Sequence, residues 1–138
     1  MSCVIYTNNP QALQHFEKRS DCQVKWQGSS AMEVLETAKA AIKKGAALIS
    51  DPLVGVRIPT PGAKPQAFNP YVSIVVTPPG ESLDFQSVRR IDEALAVYRK
   101  NAKLRFYPHS DDAINMFQAI DMDMLAAAVP EPAPDEIN

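Results

Sequence analysis

Apolar and polar positions follow two periods along the first fifty residues, and together they predict strand, helix, strand, helix, strand. Residues 3–6 are a short apolar run rich in β-formers, and after Asn8-Asn9-Pro10 the spacing turns helical, with Leu13 and Phe16 three apart. Val24 and Trp26 share one face of a second short strand, with Lys25 on the other. Ser30 and Glu33 have the spacing of a capping box, and Met32, Leu35, Ala38 and Ile42 form the apolar stripe of the helix that follows. Glu33 and Glu36 complement its positive end, and Lys39, Lys43 and Lys44 its negative end. Gly45 stops it, as a residue free to take a positive φ. Residues 46–49, apolar without alternation, read as a strand covered on both faces.

Residues 51–70 break the pattern. Five prolines (52, 59, 61, 65 and 70) and two glycines (55 and 62) keep a helix or a central strand from running through them. A long irregular stretch inside one domain points to a functional loop or an insertion. Residues 71–76 resume as a buried strand ended by Thr77-Pro78-Pro79-Gly80. Val88, Ile91, Leu95 and Tyr98 then place an amphipathic helix over about 84–100. Residues 104–107 read as an edge strand, and Ser110-Asp111-Asp112 cap a last helix with Ile114, Phe117 and Ile120 inward. The Pro-rich, acidic end, 129–138, is expected to be disordered. The expectation is an α/β, three-layer sandwich: one domain over 1–128, with a mostly parallel four- or five-stranded sheet and helices on both faces.

Composition narrows the partners. With 138 residues the chain is one domain, and 46% apolar residues supply a core without metal or disulfide staples. Fourteen Lys plus Arg against sixteen Asp plus Glu, a net charge of -2, disfavour nucleic acid and anionic membrane surfaces. No stretch approaches the ~20 apolar residues of a membrane span, and the start lacks a secretory signal. A cytoplasmic protein is expected, with Cys3 and Cys22 as reduced, buried thiols.

In an open parallel sheet the binding crevice lies beyond the carboxyl ends of the strands. Three polar segments would converge there: Thr7-Asn8-Asn9-Pro10, Ser50-Asp51-Pro52 and Thr77-Pro78-Pro79-Gly80, provided that the fourth strand is parallel to the others. Asn9 with Pro10 suits N-cap and N1 of a helix. The alternative reading makes Thr7, Asn8 and Asn9 an anion site at that helix start. Arg57, in an otherwise apolar segment, would clamp a carboxylate or phosphate, or else pair with Asp51 to pin the loop. Asn69, before Pro70 and Tyr71, is a turn residue or a further polar group of the crevice. The ligand-binding candidates are therefore Thr7, Asn8, Asn9, Asp51, Arg57 and Asn69. His15 and His109 stand apart without a nucleophile, no metal-ligand spacing or phosphate loop occurs, and no cofactor is expected.

The ordered set Thr7-Asn8-Asn9-Pro10, Asp51-Pro52-Leu53-Val54-Gly55, Asn69-Pro70-Tyr71 and Phe117-Gln118-Ala119-Ile120-Asp121 resembles the GrdX family across about residues 4–125. Its members are small bacterial proteins encoded beside the glycine, sarcosine and betaine reductases, and they have no assigned biochemical role. In the family the middle loop is shorter and histidine often stands where Asp51 does, so residues 59–68 and the acidic tail read as additions. The resemblance implies an accessory protein that binds a small carboxylate or a reductase subunit. A second reading is a small enzyme on such a metabolite, with Asp51 as acid or base and Arg57 as anion clamp. A third is a homodimer through the apolar loop 53–58. A buried, unpaired Asp51 beside a pocket favours catalysis, and an Asp51 tied to Arg57 or to loop amides favours a scaffold.

Overall fold

The computed structural model describes residues 2–53, 69–100 and 110–131. Within them lie strands β1 (Cys3–Thr7), β2 (Cys22–Trp26) and β3 (Ser73–Val76) and helices α1 (Pro10–Phe16), α2 (Ala31–Lys43), α3 (Phe85–Lys100) and α4 (Asp111–Ala128). The sheet order is β2-β1-β3. β2 runs parallel to β1, Cys3 facing Cys22 and Thr7 facing Trp26, while β3 runs antiparallel, Thr7 facing Ser73 and Val4 facing Val76.

This corrects the expected four- or five-stranded, mostly parallel sheet with helices on both faces: among the described residues the sheet is mixed and three-stranded. Residues 46–49 make only an isolated antiparallel bridge, Leu48 to Val76. Side chains have taken two donors of that segment, since Ala47 N donates to Thr77 Oγ1 at 2.9 Å and Leu48 N to Ser87 Oγ at 2.8 Å, while Ile49 N donates to Val75 O at 2.8 Å. The expected edge strand at 104–107, His109 and the end beyond Glu131 lie outside the described residues.

Local signals account for the helices. Asn9, extended at φ -94°, caps α1 by accepting from Gln11 N at 3.0 Å, and Pro10 occupies the first turn. Ser30 Oγ accepts from Glu33 N at 3.3 Å, and the Glu33 carboxylate takes the Gln27 side-chain amide. Gly45 sits at φ +107°, and a Cβ there would collide with the Gly80 carbonyl.

Strand alternation divides the core. Val4, Ile74 and Val76 pack with Leu35, Ile42, Ile91, Leu95 and Tyr98 of α2 and α3. Cys3, Ile5 and Val75 pack with Phe16 of α1 and with Leu125 and Val129 around the end of α4. Leu35 and Ile42 are fully buried, each contributing roughly 1.5–3 kcal/mol. In α4 the buried stripe is Phe117, Asp121 and Leu125 instead of the expected Ile114, Phe117 and Ile120, so a carboxylate occupies a core position. No helix among the described residues is long and apolar enough to cross a membrane.

Candidate functional site

The antiparallel course of β3 decides which polar segments meet. Because Thr7 pairs with Ser73, the first residue of β3, segment 69–72 shares the carboxyl end of β1 with Asn8 and Asn9. Ser50 joins them by accepting from Val75 N at 2.9 Å, which brings Asp51 to the same rim. The third expected segment, Thr77-Pro78-Pro79-Gly80, leaves from the opposite end, where Gly80 N donates to Gly45 O at 2.9 Å. Its expected convergence is therefore corrected: it required a parallel strand. Arg57 lies outside the described residues.

At this rim most candidate side chains are spent on neighbouring backbone groups. Asn8 Nδ2 donates to Ser29 O and Pro70 O, both at 3.0 Å, and its Oδ1 accepts from Val72 N at 2.9 Å. Asn69 Oδ1 accepts from Tyr71 N at 2.9 Å, an Asx turn, while its Nδ2 reaches Phe117 O of α4 at 2.8 Å. Asp51 is exposed, and its Oδ1 accepts from Leu53 N at 2.9 Å.

Asp121 of α4 is the buried acid of this region, 4% exposed. Asn9 Nδ2 donates to its Oδ2 at 2.9 Å and also to Gln118 O at 2.9 Å. Ser73 Oγ donates to the same Oδ2 at 2.6 Å. Thr7 Oγ1 accepts from Asn9 N at 3.0 Å and lies 2.7 Å from Ser73 Oγ, so with the Ser73 proton on the carboxylate, Thr7 supplies the donor of that pair. The chain of donors runs from α1 through β1 and β3 into α4. Burial pushes the Asp121 carboxyl above its ordinary value, opposed by the hydrogen bonds from Ser73 and Asn9.

Beside this network opens a cleft of about 290 Å³, lined by Ser50, Asp51, Tyr71, Ser73, Tyr98, Asp121 and the apolar Pro52, Met124 and Leu125. It lies near the lower end of the roughly 300–1,000 Å³ of ligand sites, which suits a small metabolite. A second hollow of about 620 Å³ lies at the start of α2, between Trp26, Ser29, Met32, Asn8 and Tyr71. There the buried Ser29 hydroxyl has no hydrogen-bond partner among the described residues. The smaller cleft is the stronger candidate because a buried ionisable group forms its wall. Sequence reasoning passed over Asp121 and Ser73 as site residues. The signal was present, since Asp121 sits four residues after Phe117 and four before Leu125 on an otherwise apolar stripe.

Among the described residues no group of three His, Cys, Asp or Glu side chains is placed to hold a metal ion. No curated protein and no solved structure matches the chain. A profile of the GrdX-like protein family matches residues 4–130. That span takes in both sides of the cleft and the whole Asn9–Asp121 network. Membership associates the chain with glycine reductase-related systems, and by the match over 4–130 the chain belongs to the GrdX-like protein family.

Proposed function

We propose that this protein is a non-catalytic accessory of glycine reductase-related systems that holds a small ligand in the cleft between β3, α3 and α4. One observation carries the reading. The acid that the alternative, enzymatic reading would use, Asp51, is exposed and caps a turn at Leu53 N, while the buried acid, Asp121, is held by Asn9 and Ser73 on the cleft wall. A general acid or base has to reach the proton it moves, and the Oδ2 of Asp121 is already taken by Asn9 Nδ2 and Ser73 Oγ. Asp121 is instead tied into donors from two other elements, an arrangement suited to fixed recognition. Engagement of a reductase subunit by the loaded protein is part of the same reading.

The test is titration of the ¹⁵N-labelled chain with glycine, sarcosine and betaine. Shifts of the Tyr71, Ser73 and Leu125 amides with the compound recovered unchanged support the reading. Conversion of any compound would overturn the non-catalytic role, and an unperturbed cleft would overturn binding of these metabolites.

A further inference from the structure

Resting on the reading of the cleft as a binding site, we infer that the part of the ligand it recognises is a small ammonium group, primary to quaternary, and not a carboxylate. Charge comes first. The cleft is lined by Asp51 and Asp121, and its described lining includes no Lys, Arg or His. Whenever Asp121 is ionised, a ligand carboxylate would come to rest beside a like charge in a poorly solvated recess, where repulsion is strongest. A cation there gains instead of losing.

The remaining surfaces point the same way. Tyr71 and Tyr98 contribute aromatic surface, and Pro52, Met124 and Leu125 contribute apolar surface. Alkylammonium groups combine a diffuse positive charge with a greasy exterior, and a carboxylate with aromatic faces is the surround that matches both properties. A hard metal ion would need several oxygen ligands, and the described residues assemble no such group. The volume, about 290 Å³, admits a small amine and leaves little room for a nucleotide.

Asp121 is held ready for the task. Its Oδ2 faces Asn9 of the α1 cap and Ser73 of β3, both uncharged, so no protein cation among its hydrogen-bonding partners competes with the ligand. The titratable side chains lining the same cleft are Asp51, Tyr71 and Tyr98. Burial favours the protonated carboxyl. An incoming ammonium group favours the carboxylate, so binding releases the proton and strengthens as the pH rises through the Asp121 pKa.

The experiment uses the full chain and three probes followed by heteronuclear NMR: tetramethylammonium, the uncharged tert-butanol of similar girth, and acetate. The expected result is tetramethylammonium binding at least about tenfold tighter than tert-butanol, with shifts at Tyr71 and Ser73. In Asp121→Asn, which keeps shape and the acceptor for Asn9 and Ser73, the preference should vanish while the amide spectrum stays dispersed. If that variant proves unfolded, the wild-type comparison of the three probes still decides. Equal affinity for tert-butanol, or tighter binding of acetate, overturns the ammonium inference and leaves the binding reading standing. Failure of all three probes to perturb the cleft overturns both.

Discussion

Asn9 and Asp121 lie 112 positions apart, yet the Asn9 side-chain amide donates to the Asp121 carboxylate at 2.9 Å inside the core. One residue thereby performs two tasks: its Oδ1 starts α1 and its Nδ2 fastens α4 across the end of the sheet. Helix capping and assembly of the candidate site are thus one event.

That pairing sets the behaviour of Asp121 variants. Asp121→Ala removes the acceptor of a buried donor, Asn9 Nδ2, and of a half-buried one, Ser73 Oγ, and should cost about 1–3 kcal/mol in urea unfolding. Asp121→Asn retains an acceptor and removes the buried charge. Because the folded-state pKa is raised, the proton-linked stability of Asp121 is complete below the ordinary carboxylate range and is lost as the pH rises through the folded value. Asp121→Asn should therefore match or exceed the wild type at neutral pH and lose that advantage in acid. A neutral-pH loss as large as that of the alanine variant would show that the ionised carboxylate is itself stabilising.

The part of this arrangement legible in the sequence is the part controlled locally. Asn9-Pro10 and Ser30 act on their own helices, and the stripe Leu35, Ala38, Ile42 needs only helical spacing. The direction of β3 is not local. It depends on Asn8, which pairs with Val72 across 64 positions, and on the Asn69 turn that leads into the strand. Short apolar runs such as 71–76 carry no mark of parallel or antiparallel pairing, so the pattern alone points to the wrong sheet and misplaces Thr77-Pro78-Pro79-Gly80. Asp121 was visible as a letter and not as a site, because its meaning comes from Asn9 and Ser73.

Arg19 and Asp21 form a second anchor. Two hydrogen bonds, 2.9 and 2.6 Å, join the guanidinium to a carboxylate 3% exposed, and Arg19 also donates to Pro130 O beyond α4. Arg19→Ala should cost about 2–3 kcal/mol, because it strands a buried charge, even though the arginine itself is partly exposed. The hydrogen bond from Arg19 holds the Asp21 carboxyl below its ordinary value of 3.8. The stability it adds is present above that value and is lost as the pH falls through the lower folded one. The variant should thus unfold with less steepness in acid, and an unchanged acid limb would mean that Asp21 is not the group that titrates.

The thiols of Cys3 and Cys22 face each other at 3.4 Å across β1 and β2. Burial, aided by the Cys3 hydrogen bond, pushes the Cys22 thiol from 9.0 up to about 12. Since the thiolate is the nucleophile, iodoacetamide at pH 8 should modify Cys22 at least a hundredfold more slowly in the folded chain than in urea. The raised value adds stability that is whole below 9.0 and disappears as the pH climbs toward 12, so alkaline unfolding is expected. Rapid alkylation of the native protein would show that the β2 edge opens readily.

Gly45 joins α2 to the turn at Gly80 with a φ of +107°. Gly45→Ala meets both a backbone region that L-residues avoid and the Gly80 carbonyl, at a cost of about 1–2 kcal/mol or more. Because this turn lies at the sheet end remote from the cleft, the melting temperature should fall while tetramethylammonium affinity, measured on the folded fraction, holds steady. A parallel loss of affinity would show that the two ends are coupled.

Asn8 separates a knot from a ligand contact most sharply. The Asn8 side chain is 6% exposed, and both its carboxamide oxygen and nitrogen are taken up by Val72, Ser29 and Pro70. A group so committed stabilises the rim and has little left to offer a ligand. Asn8→Ala should cost about 1–3 kcal/mol, the penalty for leaving the Val72 amide and two carbonyls without their partner. Below the melting range it should leave the tetramethylammonium affinity within about twofold of wild type. Asn8→Asp keeps the acceptor for Val72 N but turns an oxygen toward the carbonyls of Ser29 and Pro70, so it should be no less damaging than alanine. If instead Asn8→Ala keeps its stability and loses ligand, the rim asparagines belong to the binding surface and the cleft extends to the start of α2.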